Sequence, residues 1–424
     1  MDRRDLLKKS LAAAAAMGIS SGRAAEGQGE ADPPKQSFQP QPAKLAGDPG
    51  PDGTPGSGRD PGLDGAPNVE AGATGVLASL YDYEAAAKRK LSVAAWEYFN
   101  GGSGDEITLR RNRTALDGLQ LKPRVLVDVS TIDTRRTLLG FALEHPILLA
   151  PTSSHLLAHP DAEVATARGA AEAKTILIAS TTSNRSIEDI CKAAPSGSVW
   201  FQLYVEDDRK ACQALIERAE AAGARALVIT VDNPLAYARN REERVKAQAP
   251  TLPFPNIGIE SGPGGRGLSR RRFNWSELGW IQGIAKTPVI LKGILNPDDA
   301  DEAARRGVAA IVVPNHGGRV LDTEPATIEV LPAVVDRVAG RVPVLIDGGV
   351  RRGTDVLKGL GYGAAAVLIG RPYIYGLAVN GPDGVRDVVG ILRTELEGAM
   401  AMTGRVRLSD VDRTIFWKSA DYRA

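Results

Sequence analysis

Short apolar stretches alternate with longer amphipathic stretches along most of the chain. From about residue 145, eight runs rich in Val, Ile and Leu are separated by segments such as DAEVATARGAAEA (161–173), which have apolar residues at helical spacing. Continuous apolar runs are typical of parallel strands covered on both faces, and the segments between them are typical of amphipathic helices. The runs are HPILLAP, TILIAS, SVWFQLY, ALVITVD, PVILKG, AIVVPN, PVLIDGG and AVLIGRP.

Eight strand–helix units in about 260 residues predict a TIM (β/α)8 barrel. The alternative, a doubly wound open sheet, usually has fewer units and a glycine-rich turn after its first strand. Here the first turn reads APTSSHLLAHP (150–160), which contains no GxGxxG. Because barrels of about 250 residues form single domains, we expect residues 73–424 to form one barrel domain, with its binding site at the strand ends.

The first 72 residues have a different character. Residues 1–25 begin with the charged pair Arg3-Arg4 and continue into an apolar stretch from Leu11 to Ile19, which is too short to span a bilayer permanently. This segment resembles a bacterial twin-arginine export signal, which predicts a periplasmic location. An ordinary secretory signal or a fortuitous basic start is the alternative, and the latter would leave the protein in the cytoplasm. Residues 26–72, rich in Gly and Pro, predict a flexible linker.

The overall composition argues against two kinds of partner. The chain has 52 Lys and Arg against 51 Asp and Glu, so no global charge attracts a nucleic acid. Its two cysteines provide neither a disulfide framework nor a CxxC metal site, and its four histidines show no HExxH spacing. We therefore expect no nucleic acid and no metal. Any histidine chemistry has to use His145, His155, His159 or His316.

Polar residues follow every predicted strand. In a TIM barrel the strands end at one mouth, where reactive groups are found. A single polar residue of this kind is readily explained as a helix cap or a turn residue, but the whole set indicates one site. In chain order the set is Thr152, Ser180, Gln202, Tyr204, Thr230, Asp232, Lys292, Asn315, His316, Asp347, Gly349, Arg351, Gly370 and Arg371.

Two of these loops have special compositions. DGGVRRGTDV (347–356) and IGRP (369–372) follow the last two strands, where glycine lets backbone N–H groups approach an anion and arginine supplies charged donors. We expect a phosphate there, with a salt bridge within the barrel as the alternative. NHGGR (315–319) places a base and a fixed cation at a sharp bend. A plain strand–helix turn would explain it alone, but the other strand ends favour a catalytic base.

Eight motifs resemble those of a known family. They are YFNGGSGDEITLRRN, APTSSHLLAHPDAEVATAR, WFQLYV, VITVDNP, ILKGI, NHGGRVLD, IDGGVRRGTDV and IGRP. From about Tyr81 to about Gly404 the chain resembles the FMN-dependent α-hydroxy-acid oxidases and dehydrogenases, which include glycolate oxidase and lactate oxidase. The resemblance implies an FMN enzyme that oxidises a small L-2-hydroxy acid to the 2-oxo acid, with O2, a quinone or a cytochrome as acceptor. It also implies a homo-oligomer, commonly a tetramer.

The resemblance also implies roles for the residues of the substrate site. His316 is the base, Arg319 binds the substrate carboxylate, and Asp232 pairs with the base. The neutral imidazole of a histidine is basic near neutral pH. Arg239 is the second carboxylate-binding arginine, with Arg241 as the alternative. Tyr98 and Tyr204 form hydrogen bonds to the substrate, and Tyr204 also belongs to the expected catalytic and cofactor-binding sets.

For the cofactor, the resemblance places Lys292 at the flavin N1–C2=O edge, where a cation stabilises negative charge. The expected flavin-ring and ribityl contacts are Pro151, Thr152, Ser153, Ser180, Gln202 and Thr230. The expected ribityl and phosphate contacts are Asp347, Gly348, Gly349, Arg351, Gly370 and Arg371.

Three residues depart from the family pattern. Pro314 replaces a serine near the cofactor, Thr182 replaces the tryptophan of glycolate oxidase, and Ser153 replaces an alanine or glycine near flavin N5. The Thr182 difference implies a roomier or more polar pocket, and the Ser153 difference leaves oxidase and dehydrogenase both open. Two other functions stay open: another FMN barrel enzyme, such as an isopentenyl-diphosphate-isomerase-like enzyme, and a flavin-binding module without turnover.

Overall fold

The computed structural model describes residues 76–194, 199–235, 238–265 and 273–418. The predicted export signal (1–25) and linker (26–72) lie outside these ranges and stay predictions. No helix within the described ranges is long and apolar enough to cross a membrane.

The eight predicted strands form a closed, parallel barrel in chain order, β3-β4-β5-β6-β9-β10-β11-β12, so the predicted TIM barrel is confirmed. Each barrel strand lies within one of the eight apolar runs. Every residue in them is buried except Asp347, because helices cover the outside and side chains fill the inside. The strands are β1 (Arg136–Leu138), β2 (Phe141–Leu143), β3 (Ile147–Leu149), β4 (Leu177–Ser180), β5 (Val199–Leu203), β6 (Leu227–Thr230), β7 (Leu252–Phe254), β8 (Ile259–Ser261), β9 (Val289–Lys292), β10 (Ala310–Val313), β11 (Val344–Asp347) and β12 (Ala366–Ile369).

Helices follow each barrel strand, and three more precede the barrel. They are α1 (Leu80–Lys90), α2 (Val93–Asn100), α3 (Ile107–Gly118), α4 (Ala162–Glu172), α5 (Ile187–Ala193), α6 (Arg209–Ala221), α7 (Asn240–Arg244), α8 (Trp275–Ile284), α9 (Pro297–Arg305), α10 (Thr327–Val338), α11 (Gly353–Gly361) and α12 (Arg371–Met402). Helix α1 packs on α12 and α3 packs on α10, so the segment before the barrel lies against its last helices. Helix α12 is kinked at Asn380 and Gly381, just before Pro382.

The hydrophobic pattern does not predict the two antiparallel hairpins, β1–β2 and β7–β8. Leu138 and Leu143 of the first hairpin pack with Trp200 in the barrel interior. Arg136 Nη1 donates to the carbonyl of Ala365, the residue before β12, at 2.6 Å. This hairpin therefore closes the amino end of the barrel and leaves the carboxyl end for the site. The second hairpin lies in the connection between β6 and β9.

Candidate active site

The carboxyl ends of the barrel strands open into a cavity of about 460 Å³. This volume is within the range of small-molecule sites. The predicted site residues line the cavity, except Asp232, Asn315 and Arg241, the alternative to Arg239. The strand ends therefore meet at one site, as the barrel topology requires, whereas the chemical role of each residue stays a prediction.

His316 and Asp232 form the central pair of the site. His316 Nδ1 lies 3.0 Å from Asp232 Oδ1. Because a carboxylate only accepts hydrogen bonds, Nδ1 of the neutral ring carries the hydrogen and Nε2 keeps its lone pair. Burial lowers the pKa of His316 against the raising effect of Asp232. Burial raises the pKa of Asp232, but the His316 and Lys292 interactions outweigh it and hold that pKa below its usual value.

The turn that carries His316 has a left-handed backbone at three successive residues. The φ angles are 53° at His316, 66° at Gly317 and 71° at Gly318. A Cβ on Gly318 would lie 2.7 Å from the backbone of Leu109 in α3. The left-handed region is easily accessible only to glycine, so a non-glycine residue there is strained. The bend predicted from NHGGR is therefore present, and it includes the expected base itself.

Arg319 and Arg239 line the cavity together. Arg319 Nη1 donates to the carbonyl of Gly101 at 2.7 Å, and its guanidinium lies 5.3 Å from the ring centroid of Tyr98. Arg239 Nε donates to the carbonyl of Arg319 at 3.4 Å. Burial and the charges of Arg239 and Arg371 lower the pKa of Arg319. Concentrated positive charge of this kind is compensated when an anion binds.

Arg241, the alternative to Arg239, has different partners. Its Nε donates to Glu97 Oε2 at 2.5 Å, and its Nη1 lies 3.5 Å from Glu106 Oε2. Arg241 is not among the residues that line the cavity. The geometry therefore favours Arg239 as the second carboxylate-binding residue.

One wall of the cavity fits a flavin ring. Gln202 Oε1 accepts from Ser180 Oγ at 3.1 Å, while Gln202 Nε2 is buried without a partner among the described residues. A buried amide donor on a cavity wall indicates a ligand that accepts from it. Lys292 Nζ, at the end of β9, lies 3.6 Å from Asp347 Oδ2 and is nearly inaccessible to solvent. The wall therefore offers an amide donor and a cation, which suit the oxygen- and nitrogen-bearing edge of FMN.

Two arginines lie where the phosphate was predicted. Arg351 Nε is 3.3 Å from Glu84 Oε2 of α1. Arg371 donates at 2.9 to 3.0 Å to three backbone carbonyls, those of Phe99, Gly101 and Gly317. Since a guanidinium has five N–H groups, each arginine still has donors for an anion. The phosphate contact stays a prediction.

Two glycines of the predicted phosphate loop are also required by the fold itself. A Cβ on Gly349 would lie 2.5 Å from the carbonyl oxygen of Asn112, and one on Gly348 would lie 2.9 Å from Thr327 Oγ1. Their φ angles are 75° and 123°. Contacts with α3 and α10, together with the positive φ values, already require glycine at both positions. Close approach of an anion is not needed to explain them.

Asn112 and Asp322, two residues that hold the turn carrying His316, were not predicted from the sequence. Asn315 and Asn112 exchange two amide hydrogen bonds of 2.8 and 2.7 Å, which tie the turn to α3. Asp322 accepts from three backbone N–H groups at the start of the same helix, those of Asp105, Ile107 and Thr108. Asn112 and Asp322 both end motifs that carry the family resemblance. Their place in these motifs could have identified them, although the chemistry of their side chains did not indicate a role.

Replacing Asn112 by alanine is expected to lower the free energy of unfolding by about 2–3 kcal/mol, because it removes two buried hydrogen bonds to Asn315, whose amide keeps only the longer 3.2 Å contacts with Pro325 and Gly318. Urea denaturation followed by circular dichroism measures the change. The matched control is Thr114→Ala on the exposed face of α3, which should have a much smaller effect. Equal losses in the two variants would contradict the role assigned to the amide pair.

The structure places the three departures from the family pattern differently. Thr182 is buried and lines the cavity. Ser153 also lines it, but its hydroxyl donates to the carbonyl of Thr182 at 2.5 Å. Pro314 is buried and is not among the residues that line the cavity. Of the three, Thr182 and Ser153 are therefore the ones in a position to contact a ligand.

The family model of the FMN-dependent dehydrogenases matches residues 87–418. The chain belongs to this family. L-lactate oxidase from Nostoc sp. is 44% identical over 351 residues, which cover 79% of this chain and 96% of the relative. Glycolate oxidase 1 from Oryza sativa subsp. indica is 41% identical over 362 residues, which cover 82% and 97%. A mandelate oxidase solved with benzoyl-formic acid superposes with a TM-score of 0.74 at 38% identity, covering 79% and 97%.

Membership in the FMN-dependent dehydrogenase family confirms three predictions at once: the family, FMN as the cofactor, and an oxidoreductase that acts on 2-hydroxy acids. The relatives carry names that end in oxidase, which is as far as they define the electron acceptor. The expected tetramer stays a prediction.

Proposed function

We propose that this FMN-dependent enzyme oxidises a monocarboxylic L-2-hydroxy acid to the 2-oxo acid, with His316 as the base. The observation that supports this most is the position of His316: Asp232 lies at its Nδ1, and it lines the same cavity as Arg319 and Arg239. A 2-hydroxy acid presents a carboxylate next to the carbon that loses hydrogen. A base beside a pair of guanidinium groups matches that arrangement.

Each residue has a distinct task in the proposed reaction. Arg319 and Arg239 bind the carboxylate and orient the acid, and orientation supplies much of the rate enhancement. His316 Nε2 takes a proton from the substrate, and Asp232 stabilises the imidazolium that results. FMN, when bound, would supply the acceptor for the two electrons, and Lys292 would be among the residues that hold it.

We propose O2 as the electron acceptor, giving hydrogen peroxide. The oxidase relatives support this choice over a quinone or cytochrome. A diphosphate isomerase would not need the base and both arginines, and a module without turnover would not need the His316–Asp232 pair. We therefore favour the oxidase over both alternatives.

The test is an anaerobic series of 2-hydroxy acids mixed with the purified yellow enzyme. Lactate, glycolate, mandelate and longer aliphatic acids are added in turn, and bleaching of the flavin absorbance is measured. Oxygen is then admitted, and peroxide is assayed with catalase as the control. Flavin that stays oxidised with every acid would overturn the proposal, and bleached flavin that does not recover in oxygen would overturn the choice of acceptor.

The pH dependence follows from the state of His316. The base has to be neutral, and burial holds its pKa below the ordinary value. Since the neutral form exists above the pKa, kcat/KM is expected to be constant around neutrality and to fall only in the acidic range, at a pH lower than the ordinary histidine pKa of about 6.5. In Asp232→Asn the imidazolium loses its counter-charge, so the fall should move to lower pH and the plateau should decrease. Initial rates in buffers of constant ionic strength measure both effects. A fall of kcat/KM that already begins above neutral pH would contradict the assignment of His316 as the base.

We also propose that the twin-arginine segment directs the folded enzyme across the inner membrane. Arg3 and Arg4 and the short apolar stretch 11–19 support this. Replacing both arginines by lysine should leave the protein in the cytoplasm of a bacterial host. Equal periplasmic amounts of the variant and the native chain would disprove the route.

A further inference from the structure

Glu242 is a buried carboxylate beside the two arginines of the proposed substrate site. It belongs to the short helix α7, three residues after Arg239, the N-cap residue of that helix. Only 6% of Glu242 is exposed, and the residue lines the cavity. No sequence motif indicates a role for this residue.

One oxygen of Glu242 lies between the two guanidinium groups. Its Oε2 accepts from Arg239 Nη1 at 2.8 Å and lies 4.0 Å from Arg319 Nη2. Two buried cations on adjacent loops repel each other, and buried charges are tolerated only when they are paired. Glu242 supplies that pairing from within the helix that starts at Arg239.

We propose that Glu242 is a positioning residue: it holds Arg239 beside Arg319 so that both can contact the substrate carboxylate. This inference rests on the proposed function. The three side chains together carry one net positive charge, which matches the single carboxylate of a monocarboxylic 2-hydroxy acid. Glu242 acts through Arg239 and does not touch the reacting atoms.

A different role would make Glu242 a competitor that occupies the place of the substrate carboxylate and has to leave when the acid binds. The geometry favours positioning. Residues three apart on a helix are neighbours, so Glu242 can keep its contact with Arg239 while another face of the guanidinium binds the acid. The two roles predict opposite effects when the charge is removed.

The variants for the test are Glu242→Gln, which removes the charge, and Glu242→Asp, which keeps it on a shorter side chain. Glu242→Gln is expected to reduce kcat about tenfold through lost orientation, while KM changes less than about threefold because the site also becomes more positive. Glu242→Asp should recover most of kcat. The matched control is Glu188→Gln, which removes a glutamate paired with Arg218 at 3.0 Å on the surface.

Two further measurements separate positioning from a merely structural role. In an Arg239→Met background, Glu242→Gln should cause no further loss of kcat, because the two residues act as a unit. In Glu242→Gln the FMN affinity should match that of the native enzyme, whereas the melting temperature should fall because buried guanidinium groups lose their counter-charge. Three outcomes would each overturn the inference. They are an unchanged kcat with a lower KM in Glu242→Gln, fully additive losses of kcat in the double variant, and loss of bound FMN together with the loss of rate. If the native flavin is not bleached by any 2-hydroxy acid, the proposed function fails instead.

Discussion

Replacing His316 by alanine is expected to slow reduction of the flavin by the 2-hydroxy acid about 10³- to 10⁴-fold, the range for loss of a general base. His316 carries the lone pair at Nε2 on the cavity wall, while Nδ1 is held by Asp232. No other histidine lines the cavity within the described ranges. Anaerobic stopped-flow mixing, with flavin bleaching as the signal, measures the rate directly.

The His316 variant should still bind FMN, because Gln202, Lys292 and Arg351 come from other strands and loops. The matched control is His159→Ala, since His159 lies outside the cavity and its Nδ1 accepts from the backbone of Asp161. That control should bleach at close to the native rate. Rapid bleaching of the His316 variant would refute its role as the base, and loss of FMN would show a structural role instead.

The barrel was predictable from the sequence because its strands are buried on both faces. Continuous apolar runs identify such strands without alternation, and parallel topology then brings their carboxyl ends together. Lys292, Asp347 and Arg371 could therefore be placed in one site although they are far apart in sequence. The hairpin β1–β2 could not be predicted, since its strands have three residues each and its leucines pack on partners that only the closed barrel brings near.

The choice between neighbouring residues also needed the structure. Arg239 and Arg241 are two residues apart in the same loop; the family resemblance favoured Arg239, but the residue pattern itself gives no reason for one and not the other to face the cavity. The structure separates them because Glu97 of α2 pairs with Arg241. The pair of Asn112 and Asn315 shows the same limit. A hydrogen bond between amides of distant segments does not change the hydrophobic periodicity from which the sequence is interpreted.

The segment before the barrel contributes more to the site than its sequence suggested. The carbonyl of Gly101, just after α2, accepts from both Arg319 and Arg371. It therefore links the side chain expected to bind the substrate carboxylate with the one expected to bind the phosphate. Tyr98, one turn earlier, lies against the Arg319 guanidinium. Helix α2, through Tyr98 and Phe99, thus completes a wall that the eight strands alone do not close.

Replacing Arg319 by methionine is expected to reduce kcat/KM about 10³-fold, corresponding to about 4 kcal/mol for a buried charge pair that loses one partner. The guanidinium is held by Gly101 and packed on Tyr98, so it is oriented before an acid binds. Methionine keeps the length of the side chain but cannot bind the carboxylate. Arg319→Lys should recover only part of the loss, because an ammonium group lacks the planar donor pair.

Arg241→Met is the matched control for the arginine prediction. It removes a guanidinium of similar burial from the same region, but one that pairs with Glu97 and Glu106 and does not line the cavity. Since its loss leaves carboxylates unpaired, stability should fall while kcat/KM stays within about threefold of the native value. Steady-state kinetics and thermal melting of both variants separate the two effects. A larger kinetic loss in Arg241→Met than in Arg319→Met would show that the substrate carboxylate binds elsewhere.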